Sequence, residues 1–455
     1  MKRKHLLLVL ITLVLSLSLL LTSCTVGETV GISGAVINEN GELVITYTDG
    51  TSENLGTVVG KDGENGKDGK DGKDGNDGND GNDGELVIVG DVNDTSVAVS
   101  KGLRSAVSIR CGFTTTIQTI GPRPNMGSTT TYEYTSAGSG VIYKLDKSEG
   151  DAFIVTNYHV VYDVDSNTED GISDDISVYL YGSENTASAI KAEYVGGSLY
   201  YDIAVLHIND SELIKGSDVT NVTPADSENI TVGNTAIAIG NAQGYGISAS
   251  FGVVSVDSEY ITMLAADNRT SVSFRVLRVD TAINSGNSGG GLYNADGELI
   301  GIVNAKFVDE GVENIGYAIP SRVALAVAEN IIDNCFETDL ASVQRAMLGI
   351  SVNVSNTRAM LDTESGLMHI VEDVTVSSVT EASMSDEILL VGDRLISAKL
   401  GDIEIDITRR HHLNDLMLNV RVGDTVYVTV ERDNEGACET LTLEITFTAE
   451  GFLDY

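Results

Sequence analysis

Tryptophan is absent from the 455 residues, proline occurs four times, cysteine four times, and 28 Lys and Arg stand against 67 Asp and Glu. Each shortage excludes something. A formal net charge of −39 repels phosphate backbones and anionic lipid surfaces, so no nucleic-acid partner is expected. The cysteines Cys24, Cys111, Cys335 and Cys438 lie far apart and form no C-x-x-C pair, which argues against a zinc site or a dense disulfide framework. A single Cys111–Cys335 bridge remains open, but spacing does not support it. An apolar content of 42% is too high for a wholly disordered chain. The length suits two or three domains.

Residues 1–23 contain no acid. Lys2, Arg3 and Lys4 precede an apolar run from Leu6 to Leu21 that is interrupted only by Thr12, Ser16 and Ser18. This is the layout of a secretion signal, and the run is shorter than the roughly 20 residues a stable span needs. It ends in Leu21-Thr22-Ser23-Cys24, a branched residue and two small ones before a cysteine, which resembles the lipobox of bacterial lipoproteins. The resemblance implies cleavage before Cys24, lipid on its sulfur, and attachment to the outer face of a membrane. A plain signal peptide and an uncleaved anchor are the alternatives. Loss of residues 1–23 takes the net charge to −42.

From Ile32 to Val59 short alternating runs are separated by Asn40-Gly41 and Asp49-Gly50, which are hairpin signals. They predict a small β-meander within a β-rich segment, 24–59. Gly60 to Gly84 then places glycine at every third position, the collagen period. Without proline such a tract lacks the stiffness that pre-organises a triple helix. It is expected to be a solvated spacer, with a trimeric stalk and a loose cation-binding tract as alternatives. Gly-Glu-Leu-Val-Ile occurs on both sides, at Gly41–Ile45 and Gly84–Ile88. Residues 85–100 read as a linker.

Between 101 and 335 the texture becomes that of closed β-barrels: short apolar runs such as Ala106–Ile109, Ala152–Thr156, Ile203–Ile208 and Leu299–Val303, punctuated by Gly, Asn, Asp and Ser. Ser321 is expected to cap a helix carrying Val323, Val327, Ile331 and Ile332. A polar bridge at 336–345 leads to a mixed α+β module at 346–449. It is expected to have strands at Leu348–Val354, Arg394–Ala398 and Thr425–Glu431 and a helix from Arg409 to Leu418.

Three segments of the middle region carry chemistry. Thr156-Asn157-Tyr158-His159-Val160 follows an apolar strand. Asp202 stands at the mouth of a buried one. Gly286-Asn287-Ser288-Gly289-Gly290-Gly291 is a glycine-rich loop. A serine hydroxyl is a weak nucleophile. His159 can take its proton and return it to the leaving amine, and Asp202 can orient the imidazole and stabilise its charged form. Glycines around Ser288 allow the amides of Gly286 and Ser288 to face one developing oxyanion. The order His, Asp, Ser on β-rich sequence is that of a chymotrypsin-type triad.

These segments, together with Gly138-Ser139-Gly140-Val141-Ile142, Ile239-Gly240-Asn241, Gly252-Val253-Val254-Ser255, Asp280–Asn284, Gly301-Ile302-Val303 and Ile315–Pro320, closely resemble the HtrA/DegP family of trypsin-fold serine proteases from about Ser105 to Ala328. The resemblance implies a mainly β chain: a chymotrypsin/trypsin-like double β-barrel of six strands each, with His159, Asp202 and Ser288 between the barrels. It implies a serine endopeptidase that needs no cofactor and no metal, that degrades unfolded or damaged exported proteins, and that forms a homotrimer. It also places Ile283 and Val303, Asn304 and Ala305 at the primary specificity pocket. No acid matches the pocket base, so a small or medium aliphatic side chain is the expected preference.

The last module resembles a PDZ domain. Arg345-Ala346-Met347-Leu348-Gly349-Ile350 is similar to its carboxylate-binding loop, with Met347, Leu348, Gly349 and Ile350 offering backbone amides to a peptide C-terminus. The Gly-Asp hallmarks are matched at Gly392-Asp393 and Gly423-Asp424. The stretch before the first of them departs from the family as Asp386-Glu387-Ile388-Leu389-Leu390. A rival reading is a weakly proteolytic chaperone or peptide-binding surface lipoprotein. Asp163, Asp165, Asn167, Glu169 and Asp174 have the spacing of a calcium loop, but Thr168 replaces its glycine, so the stretch is read as a solvated acidic insertion. Arg409-Arg410-His411-His412 is read as a solvated basic turn, and His207 and His369 as structural residues. Deletion of Gly60–Gly84 is expected to leave hydrolysis of unfolded casein nearly intact if the tract is a spacer. Collapse to inactive monomers in light scattering would instead identify a triple helix.

Overall fold

The computed structural model describes residues 32–38, 42–57, 95–119, 128–184, 186–226, 229–305, 314–337, 343–363, 365–434 and 436–454. The signal, Cys24 and the glycine-repeat tract lie outside the described residues. The chain divides into two compact units, Met1–Leu86 and Val87–Tyr455.

The first unit is the expected meander: β1 (Ile32–Ile37), β2 (Glu42–Tyr47) and β3 (Ser52–Thr57) pair antiparallel in that order. Asp49-Gly50 makes the second turn. Gly50 has a φ of 83°, and the Asp49 carboxylate accepts the Thr51 amide at 2.9 Å, an Asx turn of the kind that aspartate favours.

The second unit opens with helix α1 (Thr95–Ser105), where a linker ending at residue 100 was expected. Its β-branched Thr95, Val97 and Val99 gave little helical signal. Tertiary packing holds it instead. Ala98, Gly102 and Ser105 are buried, and the Ser105 hydroxyl shares a 3.0 Å hydrogen bond with Tyr293. A methyl group on Gly102 would come within 2.5 Å of Ile239 Cδ1, so this helix can approach so closely only with glycine there.

Two closed barrels follow. The first comprises β4 (Ala106–Thr119), β5 (Ser128–Asp146), β6 (Asp151–Thr156), β7 (Asp175–Leu180), β8 (Ile190–Ser198) and β9 (Ile203–Ile208). The second comprises β10 (Thr235–Gly240), β11 (Ser248–Leu264), β12 (Ser271–Val279), β13 (Gly291–Tyr293), β14 (Leu299–Asn304) and β15 (Gly316–Pro320). Each barrel has its own apolar interior, Val107, Ile109, Ile142, Ile154 and Leu206 in one and Ala236, Val254, Leu277, Ile300 and Val303 in the other. A further cluster joins them, in which Val141, Val155 and Val205 meet Ile237, Phe274 and Val323. Between strands β6 and β7 lies a single helical turn, α2 (Tyr158–Val161).

Helix α4 (Ser321–Ile331) closes the protease region, after a short α3 (Glu212–Lys215). Ser321 is its first helical residue rather than its cap. Pro320 is the cap, and the Ser321 hydroxyl donates to the Ala225 carbonyl at 3.4 Å. Cys111, Cys335 and Cys438 are free thiols, and burial pushes the Cys111 thiol up to about 12. His207 is structural, with Nε2 2.7 Å from the Asp151 carboxylate and its ring stacked on Phe153.

The C-terminal α+β domain has the sheet order β17 (Ile350–Leu361), β18 (Met368–Val379), β19 (Arg394–Leu400), β21 (Thr425–Asn434) and β22 (Ala437–Thr446). β20 (Ile403–Asp406) pairs with β19, and β16 (Gln344–Ala346) pairs with β23 (Phe452–Asp454). Helix α5 (Arg410–Met417) lays Leu413, Leu416 and Met417 on the core.

The other face of α5 meets the second barrel, and here the expected solvated basic turn is corrected. Arg409 pairs with Asp257 at 3.1 Å, His411 is buried with Nδ1 3.3 Å from the Ser258 hydroxyl, and the Arg410 guanidinium lies 4.2 Å from the centre of the Tyr260 ring. Shifts in the β11–β12 register between Val254 and Glu259 are the bulges that turn Asp257 and Ser258 outward. Arg275 of β12 and Asp415 of α5 form an ion pair with side chains 3% and 5% exposed. Breaking such a pair from one side leaves a buried charge, at a cost of about 3–5 kcal/mol. Asp415→Ala is therefore expected to lower the calorimetric unfolding temperature by several degrees, whereas an unchanged transition would show that the pair does not hold the domains together.

Candidate active site

His159 sits in the helical turn α2, directly after the buried end of β6. Asp202 immediately precedes β9, with a φ of 54°, a left-handed conformation that aspartate tolerates better than most residues. Because β6 and β9 pair, with Thr156 opposite Ala204, the two residues emerge side by side. The His159 backbone N–H donates to Asp202 Oδ1 at 3.0 Å, and His159 Nδ1 lies 2.6 Å from Oδ2. The imidazole proton therefore belongs on Nδ1, which leaves Nε2 as the acceptor. Asn157 donates its side-chain amide to the Asp202 carbonyl at 2.9 Å.

Ser288 comes from the second barrel, in the loop before β13. The Ser139 amide donates to the Ser288 carbonyl at 2.8 Å, and a methyl group on Gly138 would lie 2.6 Å from Val160 and 3.3 Å from the Ser288 carbonyl. The histidine turn and the serine loop thus meet at Gly138. The Ser288 hydroxyl accepts the Ala305 amide at 3.2 Å and makes no bond to His159. Catalytic hydrogen bonds are often formed only with substrate in place. Neither the Gly286 nor the Ser288 amide donates to any described backbone carbonyl, as two oxyanion donors require.

Two glycines of this loop have no replacement. Gly286 has φ 93° and a methyl group there would lie 2.3 Å from the Asn241 carbonyl. Gly289 has φ 82° and its methyl group would lie 2.2 Å from the Ser139 carbonyl. Both positions combine a left-handed backbone with contact on another chain segment.

Of the four residues expected to line the specificity pocket, two have side chains turned elsewhere. Val303 is fully buried inside the second barrel. Asn304, its neighbour on the opposite face of β14, donates Nδ2 to Asp202 Oδ2 at 2.7 Å. Alternation along the strand separates the two. Ile283 is nearly buried, against Gly316 and within the same apolar cluster as Val303, and Ala305 is half-buried at its edge. Residues 306–313 lie outside the described residues.

Asn304 as a ligand of Asp202 was missed because its signal is tertiary, an amide on a buried strand of the other barrel. The Asp202 carboxylate thus accepts three hydrogen bonds. Tyr158, beside His159, is held up at about 12 by burial first and by nearby Tyr162, Asp170 and Asp267 next, so its phenol stays protonated at neutral pH and is not a competing base. In the acidic insertion, Asp163 accepts from Tyr134 and from the Asp165 amide, and Asn167 reaches Thr116.

At the C-terminal domain, Gly349 has φ 76° and Met347 gives its amide to the Gly451 carbonyl at 2.8 Å. Met347 is thus removed from the expected set of carboxylate donors. The amides of Leu348 and Gly349 make no bond to a described carbonyl. A cavity of about 80 Å³ lies between this loop, β17 and α5, lined by Leu348, Ile350, Leu413 and Met417 among others.

Two six-stranded barrels with histidine, aspartate and serine at their junction define the class of trypsin-like peptidases, and a model of the trypsin-like peptidase domain matches residues 138–302. The chain is 35% identical over 323 residues to Serine protease Do-like HtrA of Lactococcus lactis subsp. cremoris, covering 68% of this chain and 71% of that protein. It is 33% identical over 215 residues to the Periplasmic pH-dependent serine endoprotease DegQ of Escherichia coli, covering 47% of this chain and 40% of that one. A solved structure of the HtrA-type protease AlgW with decapeptide has a TM-score of 0.47 at 26% identity, covering 78% of this chain and 98% of that chain. The chain belongs to the Do-like HtrA family of serine proteases and is a serine endopeptidase.

Asn304→Ala removes one of the three donors on Asp202. The expected result is a tenfold to hundredfold fall in kcat with KM within about twofold, since the carboxylate that holds His159 loses a fixed partner and with it part of its orientation. An unchanged kcat would show that Asn304 only fills space.

Proposed function

We propose that Ser288, His159 and Asp202 form the catalytic triad of an endopeptidase that acts on unfolded or damaged exported proteins. The observation that carries the reading is the Asp202 carboxylate bonded to both the backbone and the ring of His159, at the junction where Ser288 arrives from the other barrel. His159 Nε2 accepts the proton of the Ser288 hydroxyl as it attacks the scissile carbonyl. The amides of Gly286 and Ser288 receive the oxyanion. The protonated imidazole, stabilised by Asp202, then gives its proton to the leaving amine, and an acyl-enzyme on Ser288 remains. Water, activated by the same histidine, releases the product. Ile283 and Ala305 border a primary pocket suited to a small or medium aliphatic side chain.

The C-terminal domain is read as a PDZ module that takes peptide C-termini at Leu348, Gly349 and Ile350, by addition of a strand to the edge strand β17. Its place at the edge of the sheet among the described strands, the left-handed Gly349 and the cavity beside α5 support that role. The protein is placed outside the cytoplasm, held to a membrane by lipid on Cys24 and assembled as a homotrimer. Support for the location comes from the charged and apolar leader before Cys24 and from the periplasmic location that the DegQ relative carries in its name. No helix among the described residues is long and apolar enough to cross a membrane.

Ser288→Ala is expected to abolish hydrolysis of an unfolded substrate, by at least about 10³-fold, and to abolish labelling by a fluorophosphonate probe while the unfolding temperature is kept. Labelling of wild type at another residue, or none in the presence of substrate-like peptides, would overturn the triad. Growth of the producing cells with a fatty-acid analogue should label the wild type and not Cys24→Ala. An unlabelled wild type would remove the anchor.

A further inference from the structure

Ser139 is wholly buried within β5, and its three polar groups make four hydrogen bonds. Its amide donates to the Ser288 carbonyl at 2.8 Å, and its carbonyl accepts the Thr156 hydroxyl at 2.7 Å. Its own hydroxyl donates to the Gly286 carbonyl at 2.7 Å and accepts the Asn241 amide at 2.7 Å. One side chain of the first barrel thus touches two separate loops of the second.

Both loops bear on the same amide. The peptide before Gly286 is held by its carbonyl, since the Ser285 oxygen accepts the Gln243 amide at 2.7 Å. In a planar trans peptide the C=O and N–H point in opposite directions, so this bond sets where the Gly286 N–H points. Gln243 belongs to a tight turn, Ala242–Gly244, has a left-handed φ of 55°, and follows Asn241 by two residues. The peptide after Gly286 is held by the Ser139 hydroxyl directly. Glycine is the most freely rotating residue in the chain, and at Gly286 the rotation on both sides is restrained by bonds that lead back to Ser139.

We propose that Ser139 is a positioning residue for the oxyanion donor Gly286, acting through the Gly286 carbonyl and through the Asn241–Gly244 turn. The inference rests on the reading of Gly286 as that donor. The hydroxyl touches neither substrate nor reacting atoms. Its role is to keep the Gly286 amide aimed where negative charge develops, in advance of the reaction, which is where fixed dipoles are most effective. Without it, the loop keeps its glycines and its nucleophile but gains rotational freedom at the donor.

The test is steady-state hydrolysis of a peptide substrate by Ser139→Ala, set beside Ser173→Ala. Ser173 is a matched control in the same barrel, buried, donating to the Gly112 carbonyl at 2.8 Å and accepting the Asp175 amide at 3.2 Å. The expected result is a kcat at least tenfold below wild type with KM within about twofold in Ser139→Ala, and kcat within twofold of wild type in Ser173→Ala. A Ser139→Ala kcat within threefold of wild type overturns the proposal. So does a fall no larger than that of Ser173→Ala at equal loss of unfolding temperature. Should the alanine variant not fold, Ser139→Cys, close in size but a much weaker donor, supplies the same readout. There a kcat at least threefold lower supports the role, and an unchanged one overturns it. Fluorophosphonate labelling of wild type at Ser288 is recorded in parallel. Its absence would count against the triad itself, whereas normal labelling with an unchanged Ser139→Ala kcat would count against Ser139 alone.

Discussion

The Asp202 carboxylate is the point to which the rest of the molecule is accommodated. It is a buried charge, and a buried charge is tolerated only when hydrogen bonds replace the water it has lost. Two of its donors come from His159 and one from Asn304. The first barrel supplies the pair of strands that bring Asp202 and His159 together, and the second supplies the amide that completes the set. Neither barrel alone satisfies the group. Satisfying it therefore draws the barrels into the arrangement that also delivers Ser288.

The same dependence recurs beneath the Ser288 loop. Gly286 and Gly289 adopt left-handed conformations, Gly286 pressed on the Asn241 carbonyl of its own barrel and Gly289 on the Ser139 carbonyl of the other. A glycine-rich loop is flexible in isolation. Here the neighbouring carbonyls and amides leave it almost no room, and its freedom has been exchanged for close approach. The Ser139 hydroxyl and the Gln243 amide are the visible ties.

Polar fixation also governs the contact between the second barrel and the C-terminal domain. Arg275–Asp415, Arg409–Asp257 and the Arg410–Tyr260 stack tie α5 and its N-cap residue to the second barrel, while Leu413, Leu416 and Met417 serve the domain's own core. Charged pairs give orientation more than strength. Such a contact suits a module that must sit at a defined angle. In a chain with 28 Lys and Arg against 67 Asp and Glu, three arginines are committed to this seam.

The strand pattern and the candidate residues His159, Asp202 and Ser288 were legible in the sequence because each has a local signature. Apolar alternation marks strands, glycine clusters mark the serine loop, and an acid at the mouth of an apolar run marks Asp202. Other features had none. Helix α1 reads as a linker until Ile239 and Tyr293 are seen packed on it. Arg409 to His412 reads as a wet turn until Asp257 and Ser258 arrive from 150 residues away in the chain. Asn304 reads as a pocket residue until the face it occupies is known. The kinds of residue that could do the chemistry were thus set by the sequence itself, since proton transfer and nucleophilic attack demand particular side chains at short range. Which donors hold Asp202, which amide fixes Gly286 and which arginines become buried was decided only by tertiary structure, because those contacts join segments whose proximity no local pattern encodes.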